Sequence, residues 1–90
     1  MQIVYEYDRD HMILNAHTSQ INLIAKIDDT FFATAASKEF KVWRCYECLV
    51  NVPNAHMNTI LCMKVLERFN SCANMIATGS KDKQMKFWNY

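Results

Sequence analysis

The chain has almost no excess charge of either sign: ten Lys and Arg against nine Asp and Glu leave +1 at neutral pH over 90 residues. A broad basic field is therefore excluded, and with it whole-surface binding to nucleic acid or to an anionic membrane. Long apolar runs are missing as well. No segment approaches the roughly 18 uninterrupted apolar residues of a spanning helix, and residues 1–8 carry Glu6 and Asp8 where a secretory signal needs an apolar stretch. These absences predict a soluble, intracellular protein with no membrane partner. Without a signal, the four cysteines, Cys45, Cys48, Cys62 and Cys72, are expected as reduced thiols rather than a disulfide frame. What the chain does have is apolar bulk, 51% of its residues with 21% charged, the composition of a chain that packs a core.

The arrangement of that bulk is most legible over residues 75–89. Two stretches that alternate apolar and polar, around Ile76 and over Met85-Lys86-Phe87-Trp88, flank a short polar segment, Lys81-Asp82-Lys83, suited to a turn. This predicts a β-hairpin. The pattern has an earlier copy. His17 is followed four residues on by an apolar run from Ile21, and His56 by one from Ile60. Phe32-Ala33-Thr34-Ala35-Ala36 mirrors Ile76-Ala77-Thr78-Gly79-Ser80, and Phe40-Lys41-Val42-Trp43 mirrors Met85-Lys86-Phe87-Trp88. The second copy carries an insertion around residues 68–74, and its turn before the last strand is one residue longer. A repeat of about 40 residues is the mark of stacked, similar units such as propeller blades.

Residue patterning then places strands at 21–27, 30–36, 40–44 and 46–52 in the first copy, with Pro53 ending the last because proline cannot donate to a ladder. In the second copy strands fall at 60–66, around 76–80 and at 85–88. Residues 2–7 and 11–14 read as two strands of a unit before the first. The run over 21–27 is nearly continuous in apolar residues, which predicts a strand covered on both faces.

Residues 75–89 closely resemble the closing half of a WD repeat, with Asn89 where that family usually has Asp. The resemblance extends through the repeat to nearly the whole chain. It implies an all-β fold of antiparallel four-stranded blades in an incomplete WD-repeat β-propeller, about two blades plus a partial one. Residues 1–90 are then one partial propeller: 1–16 end a preceding blade, 17–55 form repeat 1 and 56–90 form repeat 2. Propellers close with four to eight blades, so two blades and a part need a longer chain, further copies or another protein to complete them. The resemblance also implies a buried hydrogen-bond network of His56, Thr78 or Ser80, Asp82 and Trp88. The first copy has His17, Thr34 and Trp43, but Ala36 stands in place of Ser80 and its turn offers only Ser37 or Glu39 for Asp82. Its network is expected to be incomplete and its blade softer.

By the same resemblance the chain is expected to be a noncatalytic scaffold that holds other proteins on a loop-bearing rim, where Asn58, Lys81 and Lys83 are the candidate contacts; Lys38 is a further turn lysine. The runs Phe40-Lys41-Val42-Trp43, Asn54-Ala55-His56, Thr59 to Met63 and Ser80 to Lys83 are similar to transducin-beta-like WD subunits that mature ribosomal RNA. That implies a ribonucleoprotein partner and a nuclear or nucleolar site, with the cytoplasm as the alternative. Two other readings compete. One is a truncated or diverged repeat unit that is stable only on self-assembly or with a partner chain. The other is a small metal- or cysteine-dependent enzyme. A hydrolase triad drawn from His56, Ser80 and Asp82 lacks a nucleophile elbow and an oxyanion hole. Cys45-Tyr46-Glu47-Cys48 has knuckle spacing but no second pair to supply four ligands, and it falls at a strand junction rather than at a helix start that would activate a thiol. No catalytic residue, cofactor or metal is assigned. The six methionines are expected as packing fillers.

Overall fold

A computed structural model describes residues 12–66 and 75–89. It is all-β, with seven strands and no helix among those residues. The strands are β1 (Leu23–Lys26), β2 (Phe31–Ala36), β3 (Glu39–Arg44), β4 (Glu47–Val52), β5 (Ile60–Leu66), β6 (Met75–Ser80) and β7 (Met85–Asn89). They form two antiparallel sheets, β1-β2-β3-β4 and β5-β6-β7, as expected of WD-repeat blades in a partial propeller.

Local chemistry sets the turns. Asp28 accepts the amides of Thr30 and Phe31 at 2.8 and 2.9 Å, a side-chain turn that reverses β1 into β2. Those same amides hold its pKa below the usual carboxylate value. The two-residue links β2–β3 and β3–β4 each begin with a left-handed residue, Ser37 (φ 55°) and Cys45 (φ 53°). A positive φ there lets a short hairpin follow the twist of its strands. In β6–β7 the left-handed residue is Lys83 (φ 71°), and Asp82 Oδ1 accepts the Gln84 amide at 2.8 Å.

The register makes the repeat explicit. Thr34 pairs with Ile24 and Lys41, and Thr78 pairs with Met63 and Lys86. From these pairs each position of β1 and β2, and of β3 from Phe40 onward, has a counterpart in β5–β7: Ala33 matches Ala77, Ala35 matches Gly79, Phe40 matches Met85 and Val42 matches Phe87. β4 follows β3 with a bulge, since Val42 pairs with Val50 and Trp43 with Cys48, leaving Leu49 as the extra residue. An extra residue on an outer strand twists it away from edge-to-edge pairing.

The core lies between the sheets. One face of the first sheet presents Ala33, Ala35, Phe40 and Val42, and the second covers it with Ile60, Ile76, Met63, Val65 and Trp88. Small residues in β2 let the sheets approach closely, and the Phe40 and Trp88 rings meet edge-on at 5.1 Å. Backbone bonds seal the seam: Ile60 donates to the Ser37 carbonyl at 2.7 Å and Ala55 to that of Lys38 at 2.9 Å.

Two expectations fail here, the first because the cover is one-sided. The strand predicted over 21–27 is only Leu23–Lys26, and it alternates between half-buried and exposed because only its inner face meets the second sheet; Ile24 is 72% exposed. Residues 12–14 form no strand. Asn15 has φ 55°, and the chain bends there to bring Ala16 and His17 onto the first sheet. The strand predicted at 2–7 and the loop through 67–74 lie outside the described residues.

Candidate functional site

Four loops meet at one end of the two sheets, and the polar chemistry of the chain is concentrated there. His56, in the loop entering β5, is 2% exposed. Its Nε2 lies 2.7 Å from Thr78 Oγ1, and its Nδ1 lies 2.9 Å from Asp82 Oδ2. Trp88 Nε1 donates to the same Thr78 oxygen at 2.9 Å. The Asp82 carboxylate can only accept, so His56 Nδ1 carries the proton and donates it there; in the neutral ring Nε2 then accepts the Thr78 hydroxyl proton, while the hydroxyl oxygen accepts the indole N–H. Every polar atom of the chain Asp82–His56–Thr78–Trp88 is satisfied, and it links a loop, a turn and two strands.

Asp82 does more than orient the ring. Burial would raise its pKa, but the amides of Met57 and Gln84 and the His56 ring outweigh this and bring it from 3.8 to about 2. Its charged form is thus favoured in the fold: the resulting stability is present above about pH 4 and is lost as pH falls toward about 2. Asp82→Asn is expected to lower the urea midpoint at neutral pH, with the gap from the parent narrowing between about pH 4 and 2. A gap that stays constant over that range contradicts this role. Ser80 stands beside the chain rather than in it: its hydroxyl donates to the Asn58 carbonyl at 3.0 Å and accepts the Asp82 amide at 3.1 Å. Of the two hydroxyls expected on one face, Thr78 is the one on the histidine.

The first sheet holds the same constellation. His17 Nε2 lies 2.7 Å from Thr34 Oγ1, Trp43 Nε1 donates to that oxygen at 2.8 Å, and His17 Nδ1 meets the Glu39 carboxylate. The expected gap in this network is therefore absent. The turn is one residue shorter, and the longer glutamate at the start of β3 reaches what Asp82 reaches from within its turn. Ser37 takes no part. One difference remains: Asp82 also accepts two backbone amides, and among the described residues Glu39 accepts none.

Hydroxyl, imidazole and carboxylate stand in the order of a hydrolase triad, but the geometry gives that hydroxyl no route to a substrate. Thr78 is 1% exposed and its oxygen already accepts an indole. Among the described residues the cysteines gather in no metal site. Cys45, Cys48 and Cys62 are exposed and free, Cys72 lies outside the described residues, and among those residues no three His, Cys, Asp or Glu gather to hold a metal ion.

The candidate contact residues sit around this network. Lys81 and Lys83 are exposed in the β6–β7 turn, and Asn58 is exposed in the loop opposite, joined to it where the Lys81 amide donates to the Thr59 carbonyl at 3.0 Å. Among the described residues, the acids of this end, Asp82 and Glu39, point inward onto histidines, and its solvent-facing charges are Lys38, Lys81 and Lys83. Met57 stands among them, 79% exposed. Sequence reasoning missed Met57 because a lone apolar residue in a polar loop carries no periodicity.

It also missed a pair of lysines. Lys41 Nζ donates to the Ala16 carbonyl at 2.7 Å and Lys86 Nζ to that of Ala55 at 2.9 Å, each 6.0 Å above its own Trp43 or Trp88 ring. Each lysine stands two before its tryptophan and pins the residue before its histidine. The recurring Lys-x-Trp was visible in the sequence; the carbonyl it reaches was not.

Compared with known proteins, residues 47–89 match the family described as WD domain, G-beta repeat. The match runs from β4 through β7, and so spans the outer strand of the first sheet and all three strands of the second. Neither the curated proteins nor the solved structures provided a match.

Proposed function

We propose that this chain is a noncatalytic interaction scaffold whose protein partner is held by the end carrying Asn58, Lys81 and Lys83. WD repeats typically serve as noncatalytic scaffolds for other proteins, and a WD repeat is detected at residues 47–89. The observation that carries the assignment to this end is the division of charge. Its carboxylates are spent on histidines inside, while its lysines face solvent beside an exposed methionine. Such a surface suits an acidic segment with an apolar side chain to seat on Met57.

The test is affinity capture with the parent chain, with a Lys81→Glu/Lys83→Glu variant and with a Lys26→Glu control on β1. Partners are expected to be lost from the first variant, by about tenfold or more, and kept by the control. Equal capture by all three contradicts the reading. Circular dichroism is expected to be unchanged throughout, since all three lysines are exposed.

The narrower form of this reading places the scaffold in a ribonucleoprotein that matures ribosomal RNA, in the nucleolus. It is supported by the resemblance of the runs from Phe40 to Trp43 and from Ser80 to Lys83. Precursor ribosomal RNA recovered with the parent chain is its expected result, and protein partners recovered without such RNA would remove it while leaving the broader reading intact.

A further inference from the structure

An open polar trough runs across the loop end of the first sheet to the seam with the second. Its outer part, about 290 Å³, has Ser19, Ser37, Lys38 and Glu39 in its walls. Its inner part, about 300 Å³, is lined by Ser19, Gln20, Asn22, Ser37 and Thr59. Ser19 and Ser37 belong to both, so the two parts adjoin. The walls are tied together: Ile60 donates to the Ser37 carbonyl at 2.7 Å, and Asn22 Nδ2 donates to the Ile60 carbonyl at 3.1 Å. What lines the trough is weighted toward donors with nothing to bind. Ser37 and Thr59 are half-buried, yet among the described residues neither hydroxyl makes a hydrogen bond, nor does the Ser19 hydroxyl or the Lys38 ammonium group. The single acid among the lining residues, Glu39, is turned onto His17 with its side chain 15% exposed, and it stands in the outer part alone. Unspent hydroxyls beside one cation, with the nearby carboxylate already engaged, are complementary to an oxyanion.

We infer that this trough binds a phosphate monoester, the phosphoserine or phosphothreonine of a partner protein's segment, with Lys38 as counter-charge and the Ser19, Ser37 and Thr59 hydroxyls donating to its oxygens. The inference rests on the reading that this end holds an acidic protein segment, and it names a group that segment carries. Phosphate suits the trough better than a carboxylate because the hydroxyls come from three directions: the loop entering β1, the β2–β3 turn and the loop entering β5. A phosphate ester spreads three acceptor oxygens and roughly 1.5 to 2 negative charges over a tetrahedron. A carboxylate has two oxygens in one plane and a single charge. The phosphodiester of a nucleic acid also carries one charge, and it has no third terminal oxygen.

The test is a titration of the full, isotope-labelled chain, followed by its amide resonances. The probes are an acetylated peptide in which glutamates flank one phosphoserine, the same peptide with serine or with glutamate in that place, and an oligouridylate. The phosphorylated peptide is expected to bind about tenfold more tightly than either other peptide, and to shift the amides of residues 19–22, 37–38 and 59. Lys38→Gln and Ser37→Gly are each expected to weaken that preference severalfold. Glycine accepts the positive φ of Ser37 and Lys38 is exposed, so both variants are expected to keep the parent's urea midpoint. Equal binding of the three peptides, a preference undiminished in both variants, or an oligouridylate that competes as well as the phosphorylated peptide overturns the inference. Partner capture by Lys81→Glu/Lys83→Glu separates this from the broader reading. Partners lost there, with no preference for the phosphorylated peptide, remove the phosphate site and leave the reading. Capture undisturbed there, with the preference intact and carried by Lys38 and Ser37, supports the phosphate site and removes the reading.

Discussion

Phe40→Ala is expected to cost about 3–5 kcal/mol, the range for removing a buried phenylalanine whose site cannot collapse. Phe40 is 1% exposed and forms the edge-on contact with Trp88 that joins the two sheets. Total stability for a domain is about 5–15 kcal/mol, so the loss is expected to leave the sheets largely undocked. Urea unfolding measures it. The contrast lies at the matching position of the other sheet: Met85→Ala, at a side chain 68% exposed, is expected to stay within about 0.5 kcal/mol. Equal losses at the two positions would mean that the sheets are not stacked in this order.

Thr78→Val carries the second large effect. The substitution keeps the shape and removes the hydroxyl, stranding the His56 Nε2 acceptor and the Trp88 indole donor together. Each stranded buried group costs about 1–3 kcal/mol. Because Glu39 completes the same constellation in the first sheet, Thr34→Val is expected to fall in the same range. A small loss there, beside a large one at Thr78, would restore the softer first blade that the sequence suggested. Thr78→Ser, which keeps the hydroxyl, is expected to recover most of the loss.

The hairpin of β6 and β7 and the strand at Ile60–Leu66 were legible because alternation and small-residue columns respond directly to a half-buried sheet. The repeat was legible because the same burial problem is solved twice with similar residues. What the sequence hid was geometry that depends on side-chain length and on which face is covered. Glu39 could not be ranked above Ser37 as the partner of His17, since reach rather than residue type decides it. The apolar run at 21–27 looked covered on both sides. A run of that kind reports how much apolar surface there is, and the second sheet covers only its inner face. Met57 and the carbonyl contacts of Lys41 and Lys86 depend on loop paths that no periodicity records.

The central claim is that the first sheet's Ala33/Phe40/Val42 face is stacked on the second sheet's Ile76/Trp88 face as one core. The most direct measurement is the nuclear Overhauser spectrum of the chain in solution, read between the Phe40 ring and the Trp88 indole. Stacked sheets predict strong ring-to-ring cross-peaks, given centroids 5.1 Å apart, alongside cross-peaks from Ile60 to the β2 alanines. Phe40 cross-peaks confined to its own sheet, at Ala35 and Val52 alone, would contradict the stacking and with it the account.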